Sequence, residues 1–256
     1  LRLNLVNYEI PGNTEILIAG CGTGQQSLGT ATRILGSNIL AVDLSLSSLA
    51  YAKRKTRELG VSNIDYAQVD ILEMESYDRR FDLVECGGVL HHLEDPLAGW
   101  RVLVGLLRPG GFMRIALYSL MARQPFVKAR GLIAERGYTS SSDDIRRFRQ
   151  DLMAKDEDPE ISKLLDVGDF YSLSECRDLL FHVQKHLFTI PQIENALESL
   201  ELKFLGFEIN DPGVLRNFTE ANQEHQDLTS LSRWHEFEIE NPDTFLNMYR
   251  FWCKKV

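Results

Sequence analysis

Short apolar runs closed by a polar or small residue recur through the first half of the chain. Ile16-Leu-Ile-Ala19 ends at Gly20, and Ile39-Leu-Ala-Val42 ends at Asp43. Tyr66-Ala-Gln-Val69 ends at Asp70, Phe81-Asp-Leu-Val84 ends at Glu85, and Phe112–Leu117 is a fifth run. Near-continuous apolar runs of this length are what strands buried on both faces of a parallel sheet look like. Between them the spacing predicts helices. One runs from about Gln25 to Leu35. A second is capped by Ser45, carries Leu49, Ala52 and Lys53, and stops at Gly60. A third runs from Leu97 to Leu107 and stops at the turn signal Pro109-Gly-Gly111.

Strands alternating with helices in this way imply βαβ units. After Tyr118 the rhythm changes. Residues 121–187 show amphipathic helical stretches without a convincing strand, interrupted around Tyr138–Ser142 and Asp156–Pro159. Ser172-x-x-Glu175 is a capping box opening a helix toward His186, and Thr189-x-x-Gln192, with Pro191 in the first turn, opens another to Leu200. Lys203–Ile209 reads as a sixth strand. A polar, helical connection leads to Phe245–Cys253, an aromatic strand that closes the sheet. The predicted fold is α/β, Rossmann-like and doubly wound. Its sheet is mostly parallel and seven-stranded, with an antiparallel last strand and a helical insertion after the fifth. Residues 1–256 are expected to form one domain: a cofactor-binding half over 14–120, a helical insertion or cap over 121–187, and a part completing the sheet over 188–256.

Composition narrows the partners. A net charge of −9 over 256 residues, with pI near 5.2, argues against a nucleic-acid backbone as partner, since that requires a basic face. No apolar run reaches spanning length and no signal peptide is visible, so no membrane partner is expected. Cys21, Cys86, Cys176 and Cys253 are scattered, which reads as free thiols in a reducing cytoplasm. The chain opens on Leu1, which suggests a piece of a longer or processed protein.

The chemistry gathers around Gly20-Cys-Gly22-Thr-Gly24, between a buried strand and a helix. Glycine permits the tight turn and lets a ligand lie against the backbone, while the helix N-terminus offers free N–H groups to an anion. Such a loop by itself suits more than one nucleotide cofactor. Asp43, ending the second strand, can accept hydrogen bonds from ribose hydroxyls. Asp70, ending the third, can take an adenine amine. A nicotinamide fingerprint wants a small residue where Gln25 stands, and no hydride-transfer acid or base is evident, so an oxidoreductase fits less well.

In order along the chain, Ile16-Leu-Ile-Ala-Gly-Cys-Gly-Thr-Gly24, Ala41-Val-Asp-Leu-Ser45, Asp70-Ile71, Phe81–Leu93 and Leu107-Arg-Pro-Gly-Gly-Phe112 resemble the signatures of class I S-adenosylmethionine-dependent methyltransferases. Asp169–Gln184 and Phe188–Ile193 further resemble a bacterial subgroup attached to tetratricopeptide repeats, which implies such a region in the full-length protein. The resemblance implies S-adenosylmethionine as cofactor and S-adenosylhomocysteine as product. It places Gly20, Cys21, Gly22, Gly24 and Gln25 at the methionine end and Asp43 at the ribose. Leu44, Asp70 and Ile71 fall around adenine, and Cys86 and Gly87 near the amino group and the methyl donor. The family usually carries an acidic residue two positions before the first glycine; here it is Ile18.

Methyl transfer from a sulfonium is an in-line displacement in which the protein chiefly aligns the acceptor, a small molecule or a protein side chain. Where the acceptor must lose a proton, His91 and His92 are the candidate bases, with Glu85 and Tyr118 behind them. His182 and His186 have a metal-binding spacing but no third ligand, so no metal is expected. Arg146-Arg-Phe-Arg149 reads as a solvated helix face, or as an acidic-substrate site if it faces the pocket. Tyr171, Phe181, Phe188, Trp234 and Trp252 read as core. The cap starts at the strand edge where ligands of open α/β sheets bind, which makes it a lid. The competing reading is a catalytically silent module that binds cofactor or a partner.

Overall fold

The computed structural model describes residues 13–154, 158–181, 186–222, 227–246 and 248–256. Seven strands, β1 (Glu15–Ala19), β2 (Asn38–Asp43), β3 (Ile64–Gln68), β4 (Phe81–Gly87), β5 (Leu107–Leu117), β6 (Leu202–Phe207) and β7 (Tyr249–Lys255), form one sheet in the order β3-β2-β1-β4-β5-β7-β6. The first five run parallel, and β7 is antiparallel to both β5 and β6. This is the mostly parallel, doubly wound sheet that the apolar runs predict. The chain reverses its direction of travel across the sheet between β1 and β4. In open α/β sheets that point leaves a crevice at the carboxyl edge.

Alternation along each strand sends side chains to two cores. On one face Ile16, Ile18, Ile39 and Ala41 pack with Ala31 of α1 (Gln25–Arg33) and Leu49 of α2 (Leu46–Glu58). On the other, Leu17, Val84, Ile115 and Phe251 pack with Trp100 and Leu103 of α3 (Pro96–Gly105). Helices α8 (Ile190–Ser199) and α10 (Leu231–Glu240) add Ile193, Leu197, Trp234 and Phe237 to that core.

Between β5 and α8 lie α4 (Gln124–Glu135), α5 (Ser142–Ala154) and the single turns α6 (Pro159–Ser162) and α7 (Leu173–Cys176). Phe126, Ile133, Phe148, Leu152, Phe170 and Leu180 give this insertion an apolar core of its own. Its two ends meet: Leu120 N–H donates to the Phe188 carbonyl at 2.7 Å, and Phe188 N–H to the Tyr118 carbonyl at 2.9 Å. Helix α9 (Pro212–Ala221) follows β6.

Several boundaries differ from the sequence reading. β3 starts two residues earlier, at Ile64, and Asp70 lies beyond the strand, its carboxylate accepting from Leu72 N–H at the head of a 3-10 turn. β5 starts at Leu107, because Pro109-Gly-Gly111 is a bulge within the strand: Leu107 pairs with Phe81 and Phe112 already with Leu83. β7 starts at Tyr249, with Phe245 held in a 3-10 turn that begins at Pro242. Ser172 does cap a helix, accepting from Glu175 N–H, but after one turn the chain passes into a π turn, Arg177–Phe181. Thr189 and Gln192 form the reciprocal capping box in full.

Candidate functional site

The glycine loop follows β1 and ends at α1. Gly20 has φ +76°, and a Cβ there would lie 2.1 Å from Val89 Cγ2. Val89, from the segment after β4, thus rests directly on the Gly20 backbone, which a larger residue would push away. Gly22 differs. Its φ is +51°, and a Cβ would meet nothing within 4 Å. Space is left open above it. Gly24, also left-handed, heads α1 without any side-chain cap, so the first N–H groups of that helix are free of a side-chain acceptor.

Asp43 braces this loop against β2. One of its oxygens accepts from Gly22 N–H at 2.7 Å, and the other from Ser45 N–H at 2.8 Å. Gly20 and Cys21 N–H both donate to the Val42 carbonyl. The carboxylate expected at a ribose therefore also sets the shape of the turn, and it retains lone pairs for a further donor. Cys21 is buried; burial first, and then the negative charge of Asp43, push its thiol up to about 12.

A cleft of about 100 Å³ opens beside this turn, lined by Gly20, Asp43, Leu44, Val69, Asp70, Ile71, Val89 and Leu93. These come from the carboxyl ends of β1, β2 and β3 and from the segment after β4. Leu44 is 61% exposed at its edge, an apolar side chain whose burial would be gained only through something covering it. The structure thus brings together Gly20, Asp43, Leu44, Asp70 and Ile71 of the residues singled out above. Gly22, Gly24 and Gln25 lie in the adjoining loop and first helical turn, with Gln25 exposed. Val69, Val89 and Leu93 were not singled out by sequence reasoning. Val89 and Leu93 lie inside the matched run Phe81–Leu93, so position after β4 was the available signal.

Cys86 and Gly87 end β4 next to β1. Cys86 is wholly buried, and burial raises its thiol to about 12. Gly87 is overlain by Gln26, whose Oε1 would lie 3.2 Å from a Cβ at that position. Gln26 is held by Glu85: Gln26 Nε2 donates to Glu85 Oε2 at 2.9 Å, and Thr30 Oγ1 donates to the same oxygen at 2.8 Å. Glu85 is buried and orients side chains of α1. It pairs in register with Ile18. A carboxylate thus stands beside the position where Ile18 lacks one, supplied by the neighbouring strand.

The two histidines differ in setting. His91 is fully buried, with ring centroids 4.4 Å from His92 and 4.1 Å from Tyr118, and its carbonyl accepts from His186 N–H. His92 is exposed. Arg123, at the start of the cap, lies 4.0 Å above the Tyr118 ring and 4.3 Å from the Phe126 ring. The cap therefore docks on the end of β5 through a stack of His91, Tyr118, Arg123 and Phe126.

The other expectations resolve unevenly. Arg146 and Arg147 are exposed and pair with Asp143 and Asp144 of their own helix, a solvated face. Arg149 lies over the Phe170 and Tyr171 rings. Phe188 and Trp234 are core, whereas Tyr171 is 51% exposed, its hydroxyl donating to the Leu165 carbonyl. His182 lies outside the described residues. Among the described residues no cluster of three metal-ligating side chains occurs, and no helix is long and apolar enough to cross a membrane.

Residues 16–111 match the family model described as a methyltransferase domain. An uncharacterized protein of Synechococcus sp. is 30% identical over 241 residues, which cover 89% of this chain and 57% of that protein. A ubiquinone biosynthesis O-methyltransferase of Marinobacter nauticus is 32% identical over 120 residues, 45% of this chain and 49% of that one. The chain spans about half the length of the curated relatives it matches. Among solved structures, PKMT2 from Rickettsia typhi in complex with AdoHcy aligns with a TM-score of 0.73 at 17% identity, covering 95% of this chain and 49% of that one. The [4+2]-cyclase SpnF aligns with a TM-score of 0.52 at 17% identity, covering 95% of this chain and 76% of that one. Residues 16–111 thus resemble a methyltransferase domain, and the sheet has the Rossmann-like fold shared with solved methyltransferase structures.

Proposed function

We propose that this chain transfers a methyl group from S-adenosylmethionine to an acceptor held between the carboxyl edge of the sheet and the cap over residues 121–187. The observation that carries this reading is the cleft beside the glycine loop. An open space over Gly22, a braced carboxylate at Asp43, and the apolar walls Leu44 and Ile71 lie side by side, and that combination fits an amino-acid end, a ribose and an adenine. When bound, the cofactor supplies a methyl group already activated on a sulfonium.

The chain's own residues then bind, orient and exclude water. The backbone of Gly20–Gly24 and the head of α1 receive the carboxylate of the methionine end. Asp43 accepts from the ribose hydroxyls while holding Gly22 in place. Asp70, fixed by its bond to Leu72 N–H, faces the adenine edge, with Leu44 and Ile71 on its faces. Gln26, oriented by buried Glu85, and the backbone of Cys86 and Gly87 border the amino group. For an acceptor that must lose a proton, the base is assigned to His92, which is open to solvent. His91 positions the rings around it.

The second reading, a module on this fold that does not methylate, is favoured by one observation: the cyclase above shares the fold, and a shared fold does not fix a reaction. Buried free thiols at all four cysteines support a reducing cytoplasmic setting. The proposed context is a longer protein with a tetratricopeptide-repeat region, supported by the resemblance of residues 169–184 and 188–193 alone. Calorimetry with S-adenosylmethionine, S-adenosylhomocysteine and NAD tests the cofactor; lack of binding by both sulfur nucleotides sinks the proposal. Release of S-adenosylhomocysteine with a mixed acceptor panel, absent without acceptor, separates transfer from mere binding.

A further inference from the structure

Beyond the cofactor cleft, a second cavity of about 210 Å³ opens at the same edge of the sheet, between the end of β6, the head of α9 and the turn before β7. At about 30 Å³ per water this is room for roughly seven waters, enough for one end of a small molecule. Its wall reaches the cofactor side. Met248, which lines it, has its Cε 3.7 Å from where a Cβ on Gly88 would stand, and Gly88 directly follows β4.

Charge bookkeeping within the cavity is lopsided. Glu208 accepts both arms of Arg114 at 2.7 Å and Trp252 Nε1 at 2.6 Å. Burial pushes its carboxyl up, yet these bonds override that and hold it below the usual carboxylate range. Asp243 is engaged by Lys163 at 2.9 and 3.0 Å. Asp211 caps α9 by accepting from Gly213 N–H at 2.7 Å. Each acid lining the cavity therefore already has a donor. Half-buried Arg250 is the lining cation. Glu208 contributes only a longer-range field to it, and among the described residues no ion pair or side-chain hydrogen bond engages its guanidinium. Ile209, Val214 and Phe245 supply apolar wall beside it.

We propose that this cavity is the acceptor subsite and that Arg250 anchors a carboxylate on an acceptor with a small apolar body. Such an acceptor would extend from Arg250 past Met248 toward Gly88. The guanidinium fork matches a carboxylate in two parallel bonds, and the half-buried setting strengthens them. The inference rests on the methyl-transfer reading and deepens it by naming the acceptor's class.

The test uses the full chain saturated with S-adenosylhomocysteine and three probes of one shape: 3-phenylpropanoate, its methyl ester and 3-phenylpropylamine. Ligand-observed NMR titration gives each Kd. The carboxylate is expected to bind best. Arg250→Gln should weaken it by about tenfold or more, the size of a charge-assisted bond, and leave the ester unchanged. Arg250→Lys should recover part of the loss, and Val214→Phe, which fills the cavity, should weaken acid and ester together. S-adenosylhomocysteine affinity should stay level in all three variants, which also reports that they are folded. Preference for the amine, no binding of the acid, or acid binding indifferent to either Arg250→Gln or Val214→Phe overturns the inference while leaving the cofactor reading intact. Failure of S-adenosylhomocysteine itself to bind the parent chain overturns both.

Discussion

Alanine at Gly20 and alanine at Gly22 should fail in different ways, although the two glycines are two residues apart in one turn. Both have left-handed backbone angles, +76° and +51°, so each substitution carries about 1–2 kcal/mol of backbone strain. At Gly22 that is the whole folding cost, since a Cβ meets nothing within 4 Å. At Gly20 the new Cβ falls 2.1 Å from Val89 Cγ2 and 3.1 Å from Val89 Cβ and Cγ1. The entire Val89 side chain must move, adding about 1–3 kcal/mol of overpacking. For a chain of this size each kcal/mol lowers the melting temperature by about 2–4 °C. Gly22→Ala should therefore lose only a few degrees and Gly20→Ala roughly twice that. Binding should rank the other way per degree lost. The methyl at residue 22 enters the space assigned to the methionine end, so S-adenosylmethionine affinity should fall by about tenfold or more, a cost of ~1.4 kcal/mol. Scanning calorimetry and isothermal titration on the same samples measure both. Adding Val89→Ala to Gly20→Ala should restore part of the lost stability. Equal destabilisation by the two alanines, or unaltered affinity in Gly22→Ala, would refute the division of labour drawn from the geometry.

Removing the Glu85 carboxylate as Glu85→Ala leaves Gln26 Nε2 and Thr30 Oγ1 without their acceptor, at about 1–3 kcal/mol for buried Thr30 and less for half-buried Gln26. A lower melting temperature with weaker S-adenosylmethionine binding is expected, and unchanged binding would remove Glu85 from the site's support. With Cys21 and Cys86 pushed up to about 12, their thiolate fractions at pH 8 are minute. Iodoacetamide should modify them only on unfolding, as read by mass spectrometry, and rapid labelling of the native chain would contradict their burial. Glu238 is fully buried, accepts from Ser119 and Tyr249 hydroxyls, and has its pKa raised above 4.5, chiefly by burial. Because the folded state holds that proton more tightly than the unfolded one, its ionisation works against folding as pH rises above about 4.5. The melting temperature of Glu238→Gln relative to the parent should therefore improve between pH 4 and pH 8; a difference flat with pH would show otherwise. Deleting the cap over 121–187 should abolish transfer and leave cofactor binding. Retained transfer would show that the cap is no lid, and circular dichroism excludes misfolding if both activities vanish.

What was legible in the sequence follows from how each feature is stabilised. β1 and β2 are buried on both faces, so their apolar runs announced them. The turn after β1 was visible because glycine is its only solution. Asp70 was misplaced by one element because an aspartate ending a strand and one capping a 3-10 turn look alike in sequence; only the bond to Leu72 N–H separates them. Phe245 was drawn into β7 because aromatic residues suit both a strand and a buried turn, and it is buried in a turn. The supports under the site were not legible at all. Val89 on Gly20, and Glu85 on Gln26 and Thr30, join residues more than fifty positions apart, and nothing local marks such contacts. The Ile18 departure is the sharpest case. Along the chain it is a missing acid, whereas across the sheet it lies beside Glu85.

The position of β7 has a consequence for how the protein is made. It enters between β5 and β6, although it follows both in the chain. While synthesis has reached β6 and not yet β7, β5 keeps one edge of backbone N–H and C=O groups unpaired, and β6 has no strand to join. Such an edge pairs with other chains when exposed. The growing polypeptide therefore carries an open seam in its sheet for as long as it takes to deliver Tyr249–Lys255. Closing that seam pairs β5 and β6 at once through β7 and leaves β3 and β6 as the edges of the finished sheet.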